Sequence, residues 1–111
     1  MNDQATQTLP ERPIGPQGII IEKRLSEIGM SRYALAKRVG VTHPYMIGVV
    51  RGDRRLTKPE TIAKTAEALQ TDTDQFYIAI DRLPPDIVEG TVRHPDLVPL
   101  IRRMIRRKDE Q

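Results

Sequence analysis

Residues 31–52 read SRYALAKRVGVTHPYMIGVVRG, and their spacing decides the fold. Ser31 suits a helix N-cap, because its hydroxyl can accept from a free backbone N–H of the first turn. Leu35 and Val39 stand four apart and make one apolar helical stripe. Ala36 beside them is small enough to let a second helix approach. Gly40 follows Val39, where the chain must leave the helix in a left-handed conformation. Val41 is apolar again, and Thr42 is a second N-cap. Met46, Val49 and Val50, spaced i, i+3, i+4, face back toward Leu35 and Ala36, and Gly52 can end the second helix. Agreement among such independent local rules marks a segment that specifies its own structure. The stretch reads as two short helices joined by a tight turn.

The flanks extend this reading. Gly15-Pro16 suits the start of a helix, and Ile21, Leu25 and Ile28 give it a stripe that ends at Gly29, with Ile20 as a second buried position. Glu22, Lys23, Ser26 and Glu27 fall on its other side. After the segment DRRLTK, read as a short basic loop, Pro59 opens a helix whose stripe is Ile62, Ala63, Ala66 and Leu69. Asp72-Thr73-Asp74 is a cap region for a fifth helix carrying Phe76, Ile78, Ala79 and Ile80, with Phe76 expected in the core. Ile19-Ile20-Ile21 is too short for a strand, and no segment sustains alternation. Residues 1–13 are polar, hold Pro10 and Pro13 and show no period, so a disordered arm is expected there.

This pattern resembles the helix-turn-helix of the lambda-repressor-like (Cro/C1, XRE) family. Ser31, Leu35, Ala36, Val39, Gly40, Val41, Met46, Val49 and Gly52 carry the resemblance, with Ile28-Gly29-Met30 before them and Pro59-Glu60-Thr61-Ile62, Ala66 and Leu69 after. It covers roughly residues 18–80. It implies an all-α, five-helix bundle, here with one or two further C-terminal helices. It also implies a double-stranded DNA partner read by the second helix of the motif, and a homodimer.

Charge agrees with that partner. Residues 14–58 hold 9 Lys/Arg against 3 Asp/Glu, a net of +6. Residues 59–96 are acidic at −5, and residues 97–111 are basic again at +3. The basic excess coincides with the motif, which favours a polyanion at that face. There is no Cys, so disulfide scaffolds and thiolate metal sites are excluded and a reducing compartment is compatible. No apolar run approaches a membrane span, and no secretory leader is visible. A cytoplasmic, nucleoid-associated protein is expected.

By the resemblance, positions near the start of the reading helix and one turn later touch base edges. These are His43, Pro44, Ile47 and Gly48. His43 can donate or accept at a purine edge, Ile47 can pack on a thymine methyl, and Gly48 lets the groove edge approach the backbone. Arg32, Thr42, Tyr45, Arg51, Arg54, Arg55 and Lys58 are expected on phosphates, positioning the protein without reading sequence. Lys37 and Arg38 are expected in solvent. The chain departs from the family pattern at Pro44, Ile47, Gly48 and Val50, where polar residues are usual. This helix offers no Gln, Asn or Ser for a bidentate base contact. Direct readout is thin, so either DNA shape adds specificity or specificity is modest.

Leu83-Pro84-Pro85-Asp86 breaks the chain before a C-terminal extension over residues 82–111. Ile87, Val88 and Val92 suggest a short helix ending near His94-Pro95. Asp96 suits the cap of a last one, striped by Leu97, Leu100, Ile101, Met104 and Ile105 and backed by Arg102, Arg103, Arg106, Arg107 and Lys108. The stripe is expected to complete the core or form a dimer interface; the alternatives are a basic face that adds DNA contacts, or a helix on an anionic membrane surface, for which it has few aromatic anchors. Enzyme chemistry is not expected. His43 and His94 are far apart, there is no Cys nucleophile, and no phosphate loop, metal set or cofactor motif is present. Two functions follow: a sequence-specific regulator, most readily a repressor on a palindromic operator, or an antitoxin or adaptor whose C-terminal helix grips a partner protein. RNA binding lacks a stacking array.

Overall fold

The computed structural model describes residues 15–111, which form seven helices and, among the described residues, no strand. The helices are α1 Pro16–Ile28, α2 Arg32–Val39, α3 His43–Arg51, α4 Pro59–Ala68, α5 Thr73–Ala79, α6 Pro85–Arg93 and α7 Leu97–Asp109. The arm expected over residues 1–13 lies outside the described residues.

Local chemistry sets the boundaries. Ser31 Oγ accepts from the Ala34 amide at 3.0 Å, Thr42 Oγ1 from Tyr45 at 3.1 Å, and Asp72 Oδ2 from Gln75 at 3.0 Å. Each side chain satisfies an amide that the first helical turn leaves without a partner. Proline stands in the first turn of α1, α3, α4 and α6, where no intrahelical hydrogen bond is lost. Gly40, with φ of 90°, turns the chain out of α2 while its N–H donates to Ala36 O. That left-handed exit sets the angle between α2 and α3.

Helices α1 to α5 share one aliphatic core. α2 packs on α3 and α4, α1 on α3 and α5, and α4 on α5. Ile21, Leu35, Met46, Val49, Ile62, Leu69 and Phe76 are almost completely buried within it. Each such side chain contributes about 1.5–3 kcal/mol.

Four details differ from the sequence reading. Leu56, placed in a basic loop, is 1% exposed and belongs to the core. Ala63 faces solvent, and the buried face of α4 runs instead through Ile62, Thr65, Ala66 and Leu69, a strict i, i+3, i+4, i+7 set. The buried Thr65 hydroxyl donates to Thr61 O at 2.7 Å, which lets a polar residue occupy that face. In α5, Tyr77 is buried although the apolar set read from the sequence omits it, and Ile78 of that set is exposed. Asp96 precedes α7 but makes no side-chain cap.

The C-terminal pair contributes nothing to this core. Neither α6 nor α7 has a buried side chain, so the stripe of α7 does not complete the bundle. The molecule measures 55 × 29 × 24 Å. No helix is long and apolar enough to cross a membrane among the described residues.

Candidate nucleic-acid interface

Helix α3 presents its surface through the packing of its opposite side. Met46, Val49 and Val50 are buried against the bundle. His43, Pro44 and Arg51 are therefore exposed, while Tyr45, Ile47 and Gly48 are half-buried. Thr42 sits at the N-cap, where its hydroxyl is already engaged by the Tyr45 amide.

The segment after α3 folds back onto that helix. The Gly48 carbonyl accepts from the amides of Gly52, Asp53 and Arg54. The Arg54 side chain then lies across Gly48, with Cγ 3.4 Å from the point where a Cβ would stand. Its guanidinium carbon lies 5.5 Å from the centre of the Tyr45 ring, within cation–π range. The space left by the missing side chain of Gly48 is thus filled by Arg54 and is not open to the edge of a groove. This corrects the role first given to Gly48: the glycine seats an arginine.

Two side chains pin the rest of the loop, and neither stood out in the sequence. Gln17 of α1 is 9% exposed. Its Nε2 donates to Val49 O at 3.1 Å and to Arg54 O, and its Oε1 accepts from the Leu56 amide at 3.2 Å. Arg82 Nη1 donates to Leu56 O at 3.0 Å. With Leu56 anchored in the core, Arg54, Arg55 and Lys58 stand exposed on a held loop. The signal for Gln17 was present: it occupies the i−4 position of the Ile21–Leu25 stripe, and a polar residue on such a stripe must find buried partners.

At the other end of α3, the ring of Tyr33 meets that of His43 edge-on, with centroids 5.6 Å apart and planes at 84°. Lys37 Nζ lies 5.9 Å from the centre of the Tyr33 ring. Tyr33 is 59% exposed and was not among the predicted residues. It and Lys37 border the exposed start of α3, so Lys37 belongs to this surface despite its solvent exposure.

Arg32 is different. Its Nε and Nη2 donate to the Glu22 carboxylate at 2.7 and 2.8 Å, tying α2 to α1 in a bidentate pair. The carboxylate offsets its charge and fixes its direction, so the expected phosphate contact is withdrawn. Among the described residues the ion pairs are Arg32–Glu22 and Arg24–Glu27, and neither takes Arg51, Arg54, Arg55 or Lys58.

The site is therefore α3 with an exposed start beside an aromatic pair and, at its other end, a set of exposed cations on a pinned segment. It can accept a polyanionic ligand: the cations favour phosphate, and His43 and Pro44 stand exposed at the start of α3 with Ile47 half-buried one turn on. A family described as helix-turn-helix matches residues 20–76 of the chain. No curated protein matches it.

Proposed function

The chain belongs to the helix-turn-helix family of the Cro/C1 (XRE) type, whose members are DNA-binding transcription regulators, and from that premise we propose that it is a repressor. It acts by binding and performs no chemistry of its own. A homodimer would lay two copies of α3 in successive major grooves of a palindromic operator, about one helical turn apart. Promoter occupancy then excludes polymerase. His43, Pro44 and Ile47 would touch base edges, with Tyr33 bracing His43. Arg51, Arg54, Arg55, Lys58 and the Thr42–Tyr45 turn would hold phosphates. The reading places the protein in the cytoplasm, on the nucleoid.

The observation that carries it is the set Arg51, Arg54, Arg55 and Lys58, exposed at the end of α3 and on the segment after it, with no ion pair to another described residue, and with Arg54 laid back over Gly48 toward Tyr45. Selection of bound sites from random DNA at a stated salt concentration tests it. A two-fold symmetric motif is expected, and absence of enrichment over random sequence removes the specific-regulator reading. The exposed apolar faces of α6 and α7 favour one second reading, an antitoxin or adaptor that holds a partner protein there and binds DNA secondarily.

A further inference from the structure

We infer that the open apolar face of the α6–α7 pair docks a second copy of this chain, with the two α7 helices antiparallel, so that the two pairs make a four-helix bundle. This deepens the proposed homodimer and rests on it. The two helices pack little on one another, so each leaves its apolar stripe open. At 100° per residue, Leu97, Val98, Leu100, Ile101, Met104 and Ile105 span about 160° of α7. Neither helix has a buried residue; Val92 is 74% exposed and Met104 65%. Between them, Ile87, Val92, Val98 and Ile101 line an open cleft of about 690 Å³.

The area fits a second copy. Ten large apolar side chains from Leu83 to Ile105 are each 36% exposed or more. Together they present on the order of 800 Å², more than the largest patch of a typical monomer and equal to one partner's share of a standard interface. A two-fold axis lets one such patch cover an identical one.

Charge fixes the direction. Helix α7 is preceded by Asp96 and carries Arg102, Arg103, Arg106, Arg107 and Lys108 toward its end. None of these cations is ion-paired among the described residues. Parallel helices would set the two clusters side by side. Antiparallel helices crossing near Ile101 put the cluster centres about 15 Å apart, beyond the Debye length of roughly 8 Å at physiological salt, and bring each toward the partner's Asp96 end.

The test uses the full chain. Sedimentation equilibrium should give a dimer, and Val92→Glu or Ile101→Glu should each weaken self-association by about tenfold or more. Thermal unfolding of the α1–α5 bundle should be unchanged, since neither side chain enters its core. The chain has no Cys, so single cysteines report direction. Ile101→Cys should form a disulfide-linked dimer. Leu97→Cys and Ile105→Cys should each fail alone and cross-link when mixed. A dimer indifferent to both Glu variants overturns this interface and leaves the homodimer standing. A monomer at every concentration, including one that binds only a different protein through these residues, overturns both. Self-linking of Leu97→Cys as readily as Ile101→Cys overturns the antiparallel arrangement.

Discussion

Arg54 lies across Gly48, its Cγ 3.4 Å from the absent Cβ and its guanidinium 5.5 Å from the centre of the Tyr45 ring. A glycine inside a nine-residue helix costs about 1 kcal/mol relative to alanine. Here the open space seats a cation beside the start of the helix. Gly48→Ala adds only a methyl at ordinary contact distance, so we expect thermal unfolding to show a gain of about 0.5–1 kcal/mol with DNA affinity retained. Gly48→Leu must expel Arg54. DNA titration should then show a loss like that of Arg54→Ala, and equal affinities for the Ala and Leu variants would refute the seating role.

Arg54 and Arg55 project from a loop that Gln17, Leu56 and Arg82 hold in place. Phosphate contacts release counterions whatever the base sequence. Arg54→Ala and Arg55→Ala should each weaken binding to specific and random duplexes alike, and each should lower the slope of log K against log salt by about 1. Loss of affinity for one sequence alone would instead make the residue a base reader.

His43 is exposed at the first position of α3 with Tyr33 edge-on against its ring. A side chain that reads a base edge discriminates by about 1–3 kcal/mol. His43→Ala should change the ranking of operator variants at one base position in each half-site. Tyr33→Leu should blur that preference while leaving the salt slope alone. An unchanged ranking for His43→Ala would remove it from the groove.

Gln17 satisfies three backbone groups with one amide, joining α1 to the end of α3 and to the loop beyond. A buried polar group left without its partner costs about 1–3 kcal/mol. Gln17→Leu keeps most of the volume and removes every hydrogen bond. Urea titration should place it about 2 kcal/mol or more below the parent chain, and Gln17→Glu, which cannot donate to Val49 O or Arg54 O, should be destabilised similarly.

What was legible in the sequence is what acts over one or two helical turns. Ser31, Thr42 and Asp72 bond amides three residues on, and the stripes of α1, α2 and α3 repeat at helical spacing, so all were found. What was not legible acts across the fold. Gln17 reaches residues 32 to 39 positions away, and Arg82 reaches Leu56 across 26. Leu56 lies in a charged loop with no period, so nothing local marks it as core. Arg24 likewise holds Leu69 O and Gln70 O at the end of α4, where Gln70 takes a left-handed φ of 57°. The exposed side of α3 was legible because the rest of that helix is consumed by packing.

Arg32 gives the sharpest separation between a charge that holds the protein together and one that holds DNA. Its bidentate pair with Glu22 is partly shielded, with side chains 20% and 27% exposed. A pair of that kind contributes about 1 kcal/mol, above the exposed-pair median and below a fully buried one. A double-mutant cycle on Glu22→Ala and Arg32→Ala, read by chemical denaturation, should return a coupling of about that size. The same variants separate the two roles in DNA titrations. Arg32→Ala should leave the salt slope unchanged, because the carboxylate already offsets the charge. Glu22→Ala should steepen it, because Arg32 at the start of α2 is then released toward phosphate. If Arg32→Ala lowers the slope by about 1 in the parent chain, the pair opens on binding and Arg32 returns to the phosphate set.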